Sequence, residues 1–194
     1  GFFQEKGERT IYDYAFYYMD LTEFYPKYNL NPTTAQYMFR DSNVRTPAAY
    51  SLVERLAECG VTMDFGNCVN VRYLFYNTPF TELPTLDFRK AGTTCNALGC
   101  GTGAGVKKIE KIILTEEGQP LTDFFGYASQ LEEVEIAGTI TGGNLNIKNS
   151  TKLTLESLKS ILTALKDCSG TEKEYDYTVS LPAACWTKLE ADGN

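Results

Sequence analysis

Histidine is absent from this chain of 194 residues. Because histidine is the commonest general base and the commonest zinc ligand, its absence excludes Ser-His-Asp and Cys-His nucleophile chemistry. Carboxylate-only or thiolate-only chemistry stays open, and a pair such as Asp64 with Asp87 would be the minimum for a glycosidase. Carboxylates on neighbouring strands without a cleft are more often a charged face. We therefore expect no enzyme activity, no catalytic residues, no cofactor and no metal site.

Basic residues and long apolar runs are also scarce. The chain holds 18 Lys and Arg against 25 Asp and Glu, which gives a net charge of −7 and makes a nucleic-acid partner unexpected. No run approaches the ~18 apolar residues of a membrane-spanning helix, so we expect no membrane insertion. The chain begins at Gly1 with no basic and then apolar leader, which fits either a removed leader or a piece of a longer protein.

Six cysteines are too few for a disulfide scaffold in a chain of this length, and none stands in a Cys-x-x-Cys pair. Free cysteine is among the most often buried residue types, so we expect most of them to fill tight turns as thiols. Cys68 and Cys168 are predicted to be buried free thiols. Cys95 and Cys100 are close enough in sequence for a disulfide or a metal site to remain an alternative.

A repeated apolar spacing is the main positive feature of the sequence. Its copies read apolar, two free positions, apolar, one free position, apolar: Leu83–Phe88, Ile109–Leu114, Leu131–Ile136 and, with aromatics, Tyr25–Leu30. The middle residues Leu86, Ile112 and Val134 lie 26 and 22 residues apart, a period in the range of leucine-rich repeats. We predict that these three residues occupy equivalent buried positions on adjacent parallel strands of one curved sheet.

Aromatic residues are concentrated in residues 10–30 and recur later at related spacings. The early cluster is interpreted as a cap that closes the open end of the core, with a carbohydrate-stacking platform as the alternative. Phe16 and Phe39 lie 23 residues apart. Together with Phe75 and Phe125, they are predicted to fill the core from the return path of each coil.

Helix signals divide the chain further. Thr46 as N-cap, Pro47 and Gly60 predict a helical insertion over residues 46–60. Thr154 predicts the cap of a helix from about Leu155 to Asp167, followed by a strand over 175–181 and a helix over 183–191. We thus expect a single domain: an N-terminal aromatic cap and first coil over 1–30, the insertion over 46–60, repeat coils over 61–147, including a strand over 144–147, and a C-terminal cap over 153–194.

The motifs resemble the BspA-like leucine-rich repeats of bacterial surface and phage tail-fibre-like proteins. The resemblance rests on Tyr37-Met38-Phe39, Leu83–Asp87, Phe125–Ile136 and Thr151–Leu158. It implies an α/β solenoid, a right-handed coil with a curved parallel sheet, an inserted helix and a C-terminal helix-strand cap. It also implies recognition or adhesion without catalysis, outside the cell or on its surface. The alternative is a structural component or tip of a phage tail fibre or cell-surface assembly, located in the virion.

Alternation along the predicted strands suggests where a ligand would bind. Side chains between the buried positions point to the concave face of the sheet, where solenoids make extended contacts. The residues predicted there are Asn29, Asp64, Asp87, Ile113, Glu135 and Asn146. This column would bind a protein or glycan, although a merely solvated face is the simpler alternative.

Overall fold

The computed structural model describes residues 10–44, 50–92, 105–121, 124–142, 145–167 and 178–193. Within these ranges the chain forms seven short strands and three helices. The strands are β1 (Tyr50–Ser51), β2 (Phe80–Leu83), β3 (Leu86–Asp87), β4 (Lys108–Ile113), β5 (Glu133–Ala137), β6 (Leu145–Asn146) and β7 (Val179–Ser180). The helices are α1 (Leu52–Cys59), α2 (Leu155–Thr163) and α3 (Ala183–Asp192).

All strand pairs described are parallel. β1 pairs with β2, β2 and β3 pair with successive parts of β4, and β5 also pairs with β4; β6 pairs with β7 in a separate sheet. Isolated parallel bridges join Ile11 to Thr34 and Leu30 to Met63, so the same kind of pairing extends towards the N-terminus. Because parallel neighbours require the chain to return before it pairs, the segments between them cross over. The fold is therefore α/β, with a curled parallel sheet and three described helices.

The register of the sheet agrees with the sequence prediction at two of three positions. Leu86 pairs with Ile112, as predicted, and Ile112 pairs in turn with Ile136. Val134 is buried on the same sheet, but it pairs with Ile109. The prediction that Val134 is equivalent to Leu86 and Ile112 is therefore wrong.

A β-bulge explains this shift. Between the two matched pairs, β4 contains Glu110 and Lys111, whereas β5 contains Glu135 alone. One extra residue in a strand leaves two residues opposite one and offsets everything beyond it. The apolar spacing fits the strand on either side of the bulge, so the pattern by itself does not reveal the offset.

Stacked phenylalanine rings fill the N-terminal half of the core. Phe16, Phe39, Phe75 and Phe125 are all buried as predicted, with relative exposures of 3% or less. The rings of Phe16 and Phe39 stack with centroids 5.0 Å apart, and those of Phe39 and Phe75 stack at 5.8 Å. Phe80 meets Phe39 edge-on at 5.2 Å. Equivalent side chains thus repeat from one turn of chain to the next.

Helix α1 is shorter than predicted at its start. The Ser51 hydroxyl accepts a hydrogen bond from the amide of Glu54 at 3.1 Å, so Ser51 is the N-cap, and Tyr50 lies in β1 rather than in the helix. Thr46, the predicted cap, lies outside the described residues. The predicted stop is confirmed, because Gly60 adopts φ +64°, the left-handed conformation that favours glycine after a helix.

Helix α2 begins as predicted and ends early. The Thr154 hydroxyl accepts a hydrogen bond from the amide of the third helical residue, which confirms the cap. The helix stops at Thr163 instead of Asp167, since Leu165 forms a parallel bridge with Ile140. An isolated parallel bridge therefore replaces the last predicted turn of helix.

The C-terminal segment matches the prediction in part. β7 is Val179–Ser180, shorter than predicted, and residues 175–177 lie outside the described ranges. Helix α3 extends one residue beyond the predicted end and buries Cys185 and Leu189. No helix among the described residues is long and apolar enough to cross a membrane.

Three cysteines can be located, and all are free thiols. Cys68 is fully buried, as predicted, Cys185 is buried, and Cys59 is half-buried. Burial raises the pKa of the Cys68 thiol to about 11, which keeps it protonated at neutral pH. The predictions for Cys95, Cys100 and Cys168 fall outside the described residues.

Candidate functional site

The residues predicted to form a binding column differ in their exposure. Asn29, Asp64 and Glu135 are exposed, and Ile113 and Asn146 are half-buried. Asp87 is buried, with 8% relative exposure, so the expectation that it points into solvent is wrong. Side chains alternate between the two faces only within a regular strand. Asp87 is the last residue of a two-residue strand, and its side chain turns towards Arg89.

These residues do not share one column. Asp87 pairs with Ile113, and Ile113 pairs with Ala137 rather than with Glu135. Glu135 sits at the bulge, and Asn146 belongs to the separate two-stranded sheet of β6 and β7. The predicted column is therefore interrupted, and whether its members bind a ligand stays a prediction.

Asp64 and Asp87 do approach each other, at a turn. A Cβ placed on Gly66 would lie 3.1 Å from a carboxylate oxygen of each. The side chain of Arg89 donates hydrogen bonds to both Asp87 oxygens, at 2.6 to 3.2 Å, and these bonds hold the pKa of Asp87 below its usual range despite burial. Asp64 accepts from the Gly66 amide at 2.8 Å. Both carboxylates thus stabilise turns, and no described group of three His, Cys, Asp or Glu residues is placed to hold a metal.

The main sheet carries charged and polar side chains that pair with one another. Lys side chains on β4 alternate with Glu side chains on β2 and β5, so positive and negative groups lie side by side. We call these contacts the sheet-face pairs: Ser51 with Glu82 at 2.8 Å, Lys108 with Glu133 at 2.9 Å and Lys111 with Glu135 at 2.6 Å. A ligand that bound here would have to replace contacts already made within the protein.

A second face, near the N-terminus, is dominated by tyrosine. Tyr14, Tyr37 and Tyr73 stand on three successive turns of chain, with ring centroids 4.9 and 5.5 Å apart. We call this row of three rings the ladder. Further rings pack edge-on against it, and two arginines lie over its rings. We call this face the tyrosine surface: Tyr14, Tyr17, Tyr18, Tyr37, Tyr73, Tyr76, Arg40 and Arg72.

Backbone hydrogen bonds between turns align these tyrosines. The amide of Tyr14 donates to the carbonyl of Gln36, and the amide of Tyr37 donates to the carbonyl of Arg72, both at 3.0 Å. The tyrosines of the ladder have φ of 57, 57 and 53° respectively, a left-handed conformation that costs a non-glycine residue on the order of 1 kcal/mol or more. Its recurrence at three equivalent positions means that the same turn geometry is imposed on each.

Arg40 joins two neighbouring turns. Its guanidinium lies 5.0 Å from the ring centroid of Tyr37, 5.8 Å from that of Tyr73 and 4.6 Å from that of Tyr76. Asp41 pairs with it at 3.0 Å and also accepts a hydrogen bond from another turn. Partial burial alone would lower the pKa of Arg40. The hydrogen bond and the negative charge of Asp41 raise it, and the pKa is raised overall. The cation is held in place, and the rings around it are held with it.

Polar side chains line one side of the ladder. The Asp13 carboxylate accepts from the amide of Gln36 at 2.8 Å, and the Asn70 side-chain amide donates to the Gln36 side-chain oxygen at 2.9 Å. The same Asn70 accepts from the amide of Arg72 at 3.2 Å. Planar polar groups therefore lie beside the aromatic rings across all three turns.

Sequence reasoning found only part of this surface. Tyr14, Tyr17 and Tyr18 belong to the cluster interpreted as a cap, yet Tyr14 is 53% and Tyr18 67% exposed. The predicted cap does not include Tyr37 or Tyr73. The available signal is the 23-residue interval between Tyr14 and Tyr37, which equals the interval between Phe16 and Phe39.

No protein-family model, no curated protein and no solved structure matches this chain. The choice between candidate faces therefore depends on their own geometry. The sheet face has charges that pair with one another, whereas the tyrosine surface exposes aromatic rings beside polar groups.

Proposed function

We propose that this protein is a non-catalytic recognition module of the leucine-rich-repeat type and that the tyrosine surface is its binding face. The observation that carries the proposal is the partly exposed ladder of Tyr14, Tyr37 and Tyr73, in which Arg40 lies over the rings of Tyr37 and Tyr73. Tyrosine and arginine are enriched among the residues that dominate binding energy at protein interfaces. Tyrosine also offers a large contact area for a small loss of side-chain entropy.

The solenoid itself is part of this proposal. Parallel bridges join residues 23 apart near the N-terminus, as Ile11 with Thr34, and residues 26 apart in the sheet, as Leu86 with Ile112. Such intervals are compatible with leucine-rich-repeat coils, which present extended surfaces to ligands. A right-handed coil, and a position outside the cell, on its surface or in a virion, belong to the same proposal.

The sheet face is the less favourable binding surface. Lys111 and Glu135 neutralise each other, and so do Lys108 and Glu133. Exposed ion pairs contribute little to stability, so a ligand could break them at a small cost in free energy. It would gain little affinity, however, because it would only replace one charged partner by another. The exposed rings of the tyrosine surface offer apolar area, and a ligand can cover this area without breaking an ion pair of the protein.

A binding screen with matched variants tests the proposal. The full chain is presented to immobilised extracellular-matrix proteins and to a glycan array, and each hit is measured again with three variants. Tyr14→Ser combined with Tyr18→Ser should weaken binding, while Lys111→Ala combined with Glu135→Ala should not. Tyr127→Ser removes a 49% exposed tyrosine outside the tyrosine surface and serves as the control.

Two results would refute the choice of face. One is loss of binding in the sheet-face double variant with full binding in the tyrosine double variant. The other is an equal loss in the Tyr127→Ser control, since any exposed tyrosine would then serve. Thermal melting of each variant excludes unfolding as the cause.

A further inference from the structure

We infer that the ligand of the tyrosine surface is a neutral oligosaccharide, an inference that rests on the function proposed above. Tyr14 is 53% exposed, and the ring of Tyr37 packs against it with centroids 4.9 Å apart and the ring planes tilted by 31°. Tyr18 is 67% exposed and meets Tyr17 edge-on. These two rings thus present aromatic area to solvent, and an aromatic face packs well against the apolar C–H face of a pyranose ring.

Polar groups of the right kind stand next to the rings. The Arg72 guanidinium is exposed and lies 5.2 Å from the ring centroid of Tyr73. Asn77 is exposed and donates to the Asp41 carboxylate at 2.8 Å. Guanidinium, amide, carboxylate and phenol groups together supply both donors and acceptors. A sugar needs both, because each of its hydroxyl groups donates one hydrogen bond and accepts others.

The charge of the surface favours a neutral ligand. Arg40 and Arg72 contribute two positive charges, and Asp41 and the adjoining Asp13 contribute two negative ones, so this face is formally neutral on a chain of net charge −7. The overall negative field opposes an acidic polymer, and the local neutrality gives no advantage to a basic partner. A ligand without charge is not repelled by the negative field and needs no complementary charge on this face.

The dimensions favour an oligomer over a single sugar. Ring centroids 4.9 and 5.5 Å apart carry the ladder across three turns of chain. Neighbouring rings of the ladder face one another, so a ligand lying along it meets their edges and hydroxyl groups. A monosaccharide would reach one or two of the three rings, whereas an oligosaccharide would reach all of them. Because the ladder rings already pack against each other, and Arg40 lies over Tyr37 and Tyr73, these side chains have little freedom left to lose on binding.

The test is calorimetric titration of the full chain with cello-, xylo-, manno- and malto-oligosaccharides, and with oligogalacturonate as the acidic comparison. At least one neutral oligosaccharide should bind, with an affinity that does not change between low and high salt. Tyr14→Ser with Tyr18→Ser should weaken that binding by about tenfold or more, whereas Tyr127→Ser should change it by less than about twofold.

A conservative variant guards against misfolding as an explanation. Tyr18→Phe keeps the ring and loses the hydroxyl, so it should retain affinity within about fivefold if stacking carries the binding. Failure of every neutral oligosaccharide to bind would overturn the inference, as would binding of oligogalacturonate alone with strong salt dependence. If no saccharide binds but a matrix protein binds in a manner that depends on Tyr14 and Tyr18, the inference fails and the proposed function stands.

Discussion

Replacing Phe39 with alanine should be among the most damaging single changes in the N-terminal half. Phe39 is fully buried, and its ring touches four others. It stacks on Phe16 at 5.0 Å and Phe75 at 5.8 Å, and it meets Phe24 and Phe80 edge-on at 5.7 and 5.2 Å. Truncation of a buried phenylalanine costs about 3–5 kcal/mol, and each lost ring pair adds up to ~1 kcal/mol to packing terms. We expect a loss near the upper end of that range.

The consequence would be large compared with total stability. A typical domain is stable by about 5–15 kcal/mol, so Phe39→Ala should remove a third or more of the free energy of unfolding. Phe39→Leu keeps apolar volume and should cost only about 1–2 kcal/mol. Tyr127→Ala changes an exposed ring and should cost less than about 0.5 kcal/mol.

Urea unfolding followed by far-ultraviolet circular dichroism is the appropriate assay. Trp186 is 56% exposed, so its fluorescence would report poorly on core packing. A cost below about 1 kcal/mol for Phe39→Ala would contradict the stacked core, because no fully buried ring with four ring partners should be removed so cheaply. Equal costs for Phe39→Ala and Tyr127→Ala would contradict it as well.

Three further predictions address the sheet, the tyrosine surface and alkaline stability. Val134→Ala should cost roughly 2–4 kcal/mol in urea melts, and Glu135→Ala less than about 0.5 kcal/mol; the reverse order would mean that the strand faces are exchanged. Arg40→Gln loses contacts with three rings and should lower the free energy of unfolding by about 1–2 kcal/mol, whereas Arg72→Gln should lower it by less than about 0.5 kcal/mol. Equal losses would mean that Arg40 does not hold the tyrosine rings together. Burial raises the pKa of Tyr50 to about 12, from about 10 in the unfolded chain. The stability that the protonated Tyr50 contributes to the folded state is therefore complete below pH ~10 and is lost as the pH rises towards 12. Tyr50→Phe should therefore lose less stability than the wild type between these pH values, and identical pH profiles would contradict this.

The apolar pattern predicted the parts of the fold that depend on local spacing. Leu86 and Ile112 pair as expected, because both template copies lie in strands of the same sheet. Thr154 and Gly60 flank helices, because their capping chemistry is local. Phe16 and Phe39 stack, since a repeat of 23 residues brings equivalent side chains together.

Features that depend on contacts between turns were not predictable in the same way. The misplaced register of Val134 follows from a bulge that the apolar template cannot distinguish from regular pairing. Asp87 is buried because Arg89 binds its carboxylate, a contact that alternation along a strand does not encode. The interval from Tyr37 to Tyr73 is 36 residues, longer than the repeat because it includes α1, so the ladder is hidden from a search at one fixed period.

The measurement that most directly tests the tyrosine surface as the binding face is residue-resolved NMR of the full chain with ¹³C-labelled tyrosine rings and a ¹⁵N-labelled backbone. A bound oligosaccharide or partner protein from the screens should shift the ring signals of Tyr14 and Tyr18 and leave that of Tyr127 unchanged. Shifts confined to backbone amides around Lys111 and Glu135, with all tyrosine rings unaffected, would contradict the account and transfer the binding site to the sheet face.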